Sequence, residues 1–291
     1  VTKKKNFEYF ISALILEEIP SMKSAWLALM GLMAATAATA AMADGLQDVK
    51  DRGTLRCATL TDSVPLGYQD PVTREIVGLD VDLCKSLARH LGVKPELQGV
   101  AVSARIPTLI SGRADVVAAA LGFTKERAEQ IDFSSAYYQV PIKVLVKGDS
   151  AINSFADLAN KRVSAIKSST PELYARQQIT DAKVVGFEDA PSAFLALQQG
   201  KVQGMAMTEP ASIRFHTRSQ NMRFLDQALH FEPNCVGVKK GETALTAAIN
   251  QALVEMETSG ELQQLWDHWY GDQTEYKLVR EKKLTALADF Q

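Results

Sequence analysis

The chain has 291 residues, enough for one large core or two smaller ones, with 32 basic and 34 acidic side chains and a net charge of −2. That balance gives no reason to expect nucleic acid or an anionic membrane surface as a partner, and an apolar fraction of 46% argues against disorder.

The first forty-odd residues read as a leader. Met22-Lys23, the apolar run SAWLALMGLMAATAATA and the A-x-A site Ala41-Met42-Ala43 have the charged, apolar and small-residue parts of a secretory signal. Residues 1–43 are therefore expected to be an upstream extension plus signal peptide, cleaved after Ala43, with a mature chain starting at Asp44. The alternative is an uncleaved anchor, against which stand the interrupting Thr36 and Thr39. No cysteine sits at a lipoprotein-like position after the run, and no later segment is apolar enough to span a bilayer. An exported protein can oxidise cysteines, so a Cys57–Cys84 bridge is conceivable without being implied. The expectation for Cys57, Cys84 and Cys235 is that they are small buried hydrophobes.

Residues 44–52 read as a short helix ending at Gly53, and 54–59 (TLRCAT) as a first strand. The loop 60–68 follows the C-terminal end of that strand, where open α/β sheets bind ligands. Val81, Leu83, Leu87, Ala88 and Leu91 recur near helical spacing between Ile76 and Gly92, with Asp80 at the helix start. A strand at 94–99 and a helix at 104–111 follow, the latter opening Arg105-Ile106-Pro107. Residues 116–121 form a short apolar run of the kind that lines a parallel sheet. Next come a Gly-Phe-Thr turn and a short helix from Lys125, with Thr124 as its N-cap. Free N–H groups and Arg127 one turn on suit a carboxylate; a surface pairing of Arg127 with Glu126 or Glu129 is the other reading.

Beyond Tyr138 the pattern continues as strand 162–166, a helix from Pro171, strand 182–187 and helix 190–199. Ser169 and Thr170 at the helix start can cap it and also face an anion. The stretch GKVQGMAMTEPASIRF (200–215) follows, then strand 235–238, helix 243–257 broken by Gly260, and helix 261–270 with Trp266 and Trp269. Residues 272–291 are a partly charged tail, a candidate last helix packed on the outside. His90, His216, His230 and His268 form no metal-ligand pattern.

Several of these motifs resemble the bacterial extracellular solute-binding proteins of family 3, receptors of polar amino acid ABC importers. They are Gly78-Leu79-Asp80-Val81-Asp82-Leu83, RIPTLISGRAD at 105–115, Thr124-Lys125-Glu126-Arg127, Asp132-Phe133-Ser134, Tyr137-Tyr138, DLANKRV at 157–163 and the closing SGELQQLWDHWYG. The resemblance spans residues 44–271. It implies an α/β fold of the type II periplasmic-binding-protein kind: two lobes, joined by two crossing strands, with the ligand cleft between them. Lobe 1 would comprise 44–138 and 235–271, and lobe 2 would comprise 139–234. It further implies that Arg127 and Thr170, with Ser169, hold a ligand carboxylate. Backbone groups at Ala120 and Gly122 would help hold an amine, while Asp62 and Ser63 would face the side chain. Arg105 either reaches the cleft or lies on the lobe surface.

Two departures stand out. The aspartate that pairs with the ligand ammonium group in the family is Thr208 here, and Glu209 is the adjacent carboxylate that could replace it. The aromatic expected two residues before Pro65 is Ser63, with Tyr68 or Phe123 as possible substitutes. The expectation is a periplasmic, monomeric receptor delivering an amino acid or similar zwitterion to an inner-membrane ABC permease, without cofactor or metal. Two alternatives remain open: a receptor for an amine-free carboxylate, and a cyclohexadienyl (prephenate or arogenate) dehydratase-like enzyme using Glu209 or Glu172 as its acid.

Overall fold

The computed structural model describes residues 45–219 and 221–290. The expected leader, its expected cleavage site and Asp44 lie outside them. The elements run in the order α1 (Gly45–Arg52), β1 (Thr54–Thr59), β2 (Asp62–Ser63), β3 (Gly67–Gln69), β4 (Ile76–Val77), α2 (Leu79–His90) and β5 (Lys94–Gly99). Then come α3 (Arg105–Ile110), β6 (Val116–Val117), α4 (Lys125–Gln130), β7 (Ile131–Lys147), β8 (Arg162–Ile166), α5 (Thr170–Gln178), β9 (Lys183–Phe187) and α6 (Ala190–Gln198). The last are β10 (Gly204–Thr208), α7 (Glu209–Arg218), β11 (Met222–Phe224), β12 (His230–Lys239), α8 (Thr243–Ser259) and α9 (Glu261–Tyr270).

The main sheet has the order β5-β1-β6-β12-β7-β10-β8-β9, with β11 also on β7. Two antiparallel strands, β7 and β12, continue from one half of this sheet to the other. In the first half β1 pairs in parallel with β5 and β6; in the second, β8 pairs in parallel with β10 and β9. Each half is thus a βα-built lobe, and the sequence expectation of two lobes joined by two crossing strands matches this topology. The crossing strands are longer than the sequence indicated. β7 carries Pro141 in its interior, where a proline normally marks an edge or a break.

Side-chain alternation puts Leu55 and Cys57 of β1 in one buried cluster and Ala58 in another; in lobe 2, Leu145 and Met205 are separated in the same way from Val144 and Ala206. Helix α2 presses Leu83, Cys84 and Leu87 onto this sheet, all fully buried. Burying each leucine contributes about 2 kcal/mol. Cys57 and Cys84 form a disulfide, Cα–Cα 6.2 Å, which corrects the expectation of three separate thiols: the strand and the helix packed on it bring the pair into bonding range. Cys235 is free and buried. The tail is not a helix over most of its length. Arg280 is buried and donates to Tyr137 O (2.8 Å) and Glu257, and residues Ala136 and Thr285 bridge, which fastens the tail to lobe 1.

Strand β6 stops at Val117 rather than at residue 121. Ala118, Ala119 and Leu121 remain buried and Ala120 is half-buried, but all four leave the ladder, and Ala120 adopts a left-handed φ of 48°. This departure from a regular strand faces the cleft. Among the described residues no helix is long and apolar enough to cross a membrane, and no cluster of three or more His, Cys, Asp or Glu side chains is placed to hold a metal ion.

Candidate functional site

The lobe 1 wall is built on Asp80. It is fully buried at the start of α2; Gly78, just before it, passes so close to the Leu66 carbonyl that no side chain would fit. Asp80 Oδ2 accepts from Ala120 N at 2.7 Å, and Oδ1 accepts from Tyr137 Oη at 2.6 Å. Burial pushes its carboxyl up to about 6, and these hydrogen bonds and Arg105 act against that shift. The contact holds Ala120 in its left-handed conformation and turns the carbonyls of residues 119 and 120 toward α3.

Arg105 receives those carbonyls. It is 3% exposed, and its Nη1 donates to Ala119 O (2.9 Å) and Ala120 O (2.5 Å), while Nε donates to Val102 O (2.9 Å). Of the two sequence readings, the one that brings Arg105 to the cleft is therefore the one realised. Arg127 rides on the first turn of α4, whose N-cap Thr124 accepts from Arg127 N at 3.1 Å. Its guanidinium donates to Gly122 O (2.7 Å) and across the cleft to Ser168 O (2.8 Å). Arg105 Nη2 reaches the same Ser168 carbonyl at 3.4 Å. Two lobe 1 arginines thus meet the β8–α5 turn of lobe 2. Burial lowers the pKa of both, yet a guanidinium stays charged at any ordinary pH.

On the lobe 2 side, Ser169 caps α5 by accepting from Glu172 N at 3.2 Å and donates to Ile166 O at 2.6 Å. Thr170 is buried, and its hydroxyl donates to Glu232 of β12. Glu232 is 2% exposed, with its carboxyl pushed up to about 7 by burial, against the opposing pull of Arg127 and Arg105. Neither arginine forms an ion pair with it among the described residues.

These groups surround a cavity of about 50 Å³ between the lobes, lined by Ser63, Arg105, Ala120, Ser169, Thr170, Thr208 and Glu232 with apolar neighbours including Leu60 and Met207. Ser63, Met207 and Ala211 also border a second cavity of about 390 Å³, lined further by Asp62, Phe194, Arg214 and Arg218. Asp62 has its pKa raised by burial and by Asp189.

Of the residues selected from sequence, Ser63, Ala120, Ser169, Thr170 and Thr208 come together around the first cavity, and Asp62 lies on the second. Arg127 and Gly122 do not line the first cavity; Gly122 lies against the Glu232 side chain, and Arg127 donates to Gly122 O. Glu209 is on neither wall: it accepts from Lys143 Nζ at 2.8 Å. Glu172 accepts from Ser168 N (2.8 Å) and Arg176 (2.7 Å) and likewise stays outside. Tyr68 packs edge-on against Trp269 and Phe123 against Phe133, so neither ring substitutes for the missing aromatic at Ser63. Sequence reasoning missed Glu232. Its signal is a carboxylate flanked by Phe231 and Pro233, three residues before the apolar run that begins at Cys235.

Comparison with known proteins yields a consistent set. The profile of "Bacterial extracellular solute-binding proteins, family 3" matches residues 55–272. The ABC transporter glutamine-binding protein GlnH of Bacillus subtilis (strain 168) is 32% identical over 232 residues, covering 78% of this chain and 84% of that protein. The L-cystine-binding protein TcyJ of Escherichia coli (strain K12) is 29% identical, covering 78% and 86%. Among solved structures, the ancestral amino acid-binding protein AncCDT-1, described as a precursor of cyclohexadienyl dehydratase, superimposes with a TM-score of 0.72 at 31% identity, covering 79% of this chain and all of that one. An ancestral arginine-binding protein bound to arginine gives 0.71 at 32%, covering 76% and 99%.

Proposed function

The chain belongs to the bacterial extracellular solute-binding proteins of family 3, and from that premise we propose that it captures an amino acid or similar small zwitterion for an ABC importer. The observation that carries the reading is the interlobe cavity, where Arg105, Thr170 and the N-terminal turn of α5 converge from opposite lobes. A carboxylate there is met by Arg105 Nη2, a hydroxyl and helix N–H groups, a set suited to charge-assisted recognition of a carboxylate. Arg127 joins them by exchanging its bond to Ser168 O for one to the ligand. Because donors come from both lobes, the ligand favours the closed arrangement, and hinge motion about β7 and β12 admits and releases it.

In this reading lobe 1 is 44–138 with 235–271, lobe 2 is 139–234, and 272–291 is a tail fastened to lobe 1. The ligand's distal group extends past Ser63 into the larger cavity beside Asp62. The protein works outside the cytoplasm after losing residues 1–43, as a monomer, with the permease as its macromolecular partner. Its role is binding, without catalysis. The relatives named for glutamine, cystine and arginine support an amino acid as ligand.

One observation favours a second reading: Thr208 offers a hydroxyl where the family resemblance calls for an aspartate, which suits a carboxylate without an amine. Calorimetric titration with the common L-amino acids tests the first reading. One site per chain, weakened at least tenfold by Arg127→Ala, supports it. Binding confined to amine-free carboxylates refutes it in favour of the second.

A further inference from the structure

We propose that Glu232 is the residue that selects for an ammonium group on the ligand, in place of the carboxylate that Thr208 does not supply. The inference rests on the amino-acid reading above and deepens it. Three observations point to it. Thr208 lines the cavity with a hydroxyl, and Glu209, its neighbour, is held by Lys143. Glu232 is the one carboxylate on the wall of the first cavity among the described residues. Gly122 leaves it room: a Cβ at that position would come within 2.7 Å of the Glu232 carboxyl carbon, so the bare backbone of residue 122 is what lets this carboxylate stand in the cleft. The loop is fixed in that approach by Phe123 N donating to Pro233 O (2.9 Å) and Cys235 N donating to Leu121 O (3.0 Å).

Charge bookkeeping gives the mechanism. Arg105 and Arg127 face Glu232 without an ion pair, and the other titratable groups acting on it, Tyr138, Tyr174 and Cys235, are neutral at ordinary pH. A zwitterion inserts between these opposite charges, its carboxylate on the arginines and its ammonium on Glu232. An amine-free carboxylate entering the same place meets ionised Glu232 as a like charge and is disfavoured until Glu232 takes up a proton. Glu232 therefore discriminates through attraction to one class and repulsion of the other.

The test uses the purified protein and calorimetric titration at pH 8 with the proteinogenic L-amino acids and L-cystine. Each binder is paired with its desamino counterpart, such as glutaramate for L-glutamine. Glu232→Gln is expected to weaken amino-acid binding by roughly 30-fold or more, the usual consequence of removing one partner of a buried charge pair, while desamino binding holds or improves. Adding Thr208→Asp to Glu232→Gln should recover amino-acid affinity. The wild-type pH profile needs no variant: with the Glu232 carboxyl at about 7, amino-acid affinity should fall about 30-fold from pH 8 to pH 5.5 as desamino affinity rises. Amino-acid affinity of Glu232→Gln within threefold of wild type overturns the inference and leaves the functional reading standing. Equal loss for both ligand classes, or a flat wild-type profile, also overturns it, since a merely structural role gives no such split. Wild-type protein that binds no amino acid overturns the functional reading itself and the inference with it.

Discussion

Asp80→Ala is the substitution whose consequence follows most directly from the geometry. Asp80 is the acceptor for the half-buried Ala120 N at 2.7 Å and the buried Tyr137 Oη at 2.6 Å. Alanine leaves both without a partner, at about 1–3 kcal/mol each. Removing the buried carboxylate, itself costly to desolvate, offsets part of this, so a net loss of about 3 kcal/mol is expected. For a domain of this size that corresponds to a fall of roughly 6–12 °C in melting temperature. Asp80→Asn keeps one oxygen for Ala120 N–H, and its amide can donate to the Tyr137 hydroxyl, which turns from donor to acceptor. Its cost should stay near 1 kcal/mol, the net worth of one hydrogen bond. The two variants are compared by scanning calorimetry at pH 8. The pH dependence adds a signed check. The Asp80 carboxyl is raised to about 6, so its contribution to stability is fully present below the unfolded carboxylate pKa and is lost as pH rises through 6. Asp80→Asn should flatten that part of the profile. Asp80→Ala melting with wild type, or Asp80→Asn losing as much as Asp80→Ala, would refute the account of how Ala120 is held.

Other outcomes follow from single contacts. The disulfide closes a sequence separation of 27 residues, worth about 3.5 kcal/mol by loop entropy, so Cys57→Ala/Cys84→Ala should melt roughly 7–14 °C lower. Thiol titration of the unreduced, denatured protein should find one thiol; three would contradict the bridge. Thr124→Ala removes the cap on α4 and should cost about 1 kcal/mol in urea denaturation, with ligand affinity falling alongside because Arg127 rides on that turn. Unchanged stability would separate Arg127's position from the cap. His90 sits between Glu261 and Glu255, at 3.0 Å from each, and its pKa is raised chiefly by Glu261. Its contribution is present below the usual histidine value and lost as pH rises through the raised one, so His90→Gln should blunt the decline in stability above pH 6.5. Identical profiles for the two proteins would dispose of that pairing.

Much of this architecture is legible in the sequence because its signals are local. β1, β5 and β8 begin and end where the sequence patterns place them, and α9 is bounded by Gly260 and Gly271. Thr124 caps α4 as a threonine before a charged first turn should. What the sequence hides is non-local. The apolar run 116–121 reads as one strand, yet only Val116 and Val117 pair. The rest is diverted because Asp80, forty positions earlier, and Arg105 claim the backbone of residues 119 and 120. The crossing strand β7 is obscured by Pro141, which a long-range pairing with Phe231 tolerates. Cys57 and Cys84 are joined by the packing of a helix on a strand, which no spacing rule specifies. Glu232 escaped notice for the same reason: its partners Thr170 and Gly122 belong to two other segments, and only the crossing of β12 through the cleft brings the three together.

The central claim is that an amino acid occupies the cleft of the closed, folded protein. A thermal-shift series of the purified protein against the common L-amino acids, dicarboxylates and aromatic acids tests it most directly. A ligand that binds only the folded state, at 100 times its dissociation constant, adds about 2.7 kcal/mol, or roughly 5–10 °C for this size of domain. The account predicts such a shift for one or a few amino acids, and its loss in Arg105→Ala/Arg127→Ala. No shift with any amino acid, or a shift that survives removal of both arginines, would contradict it.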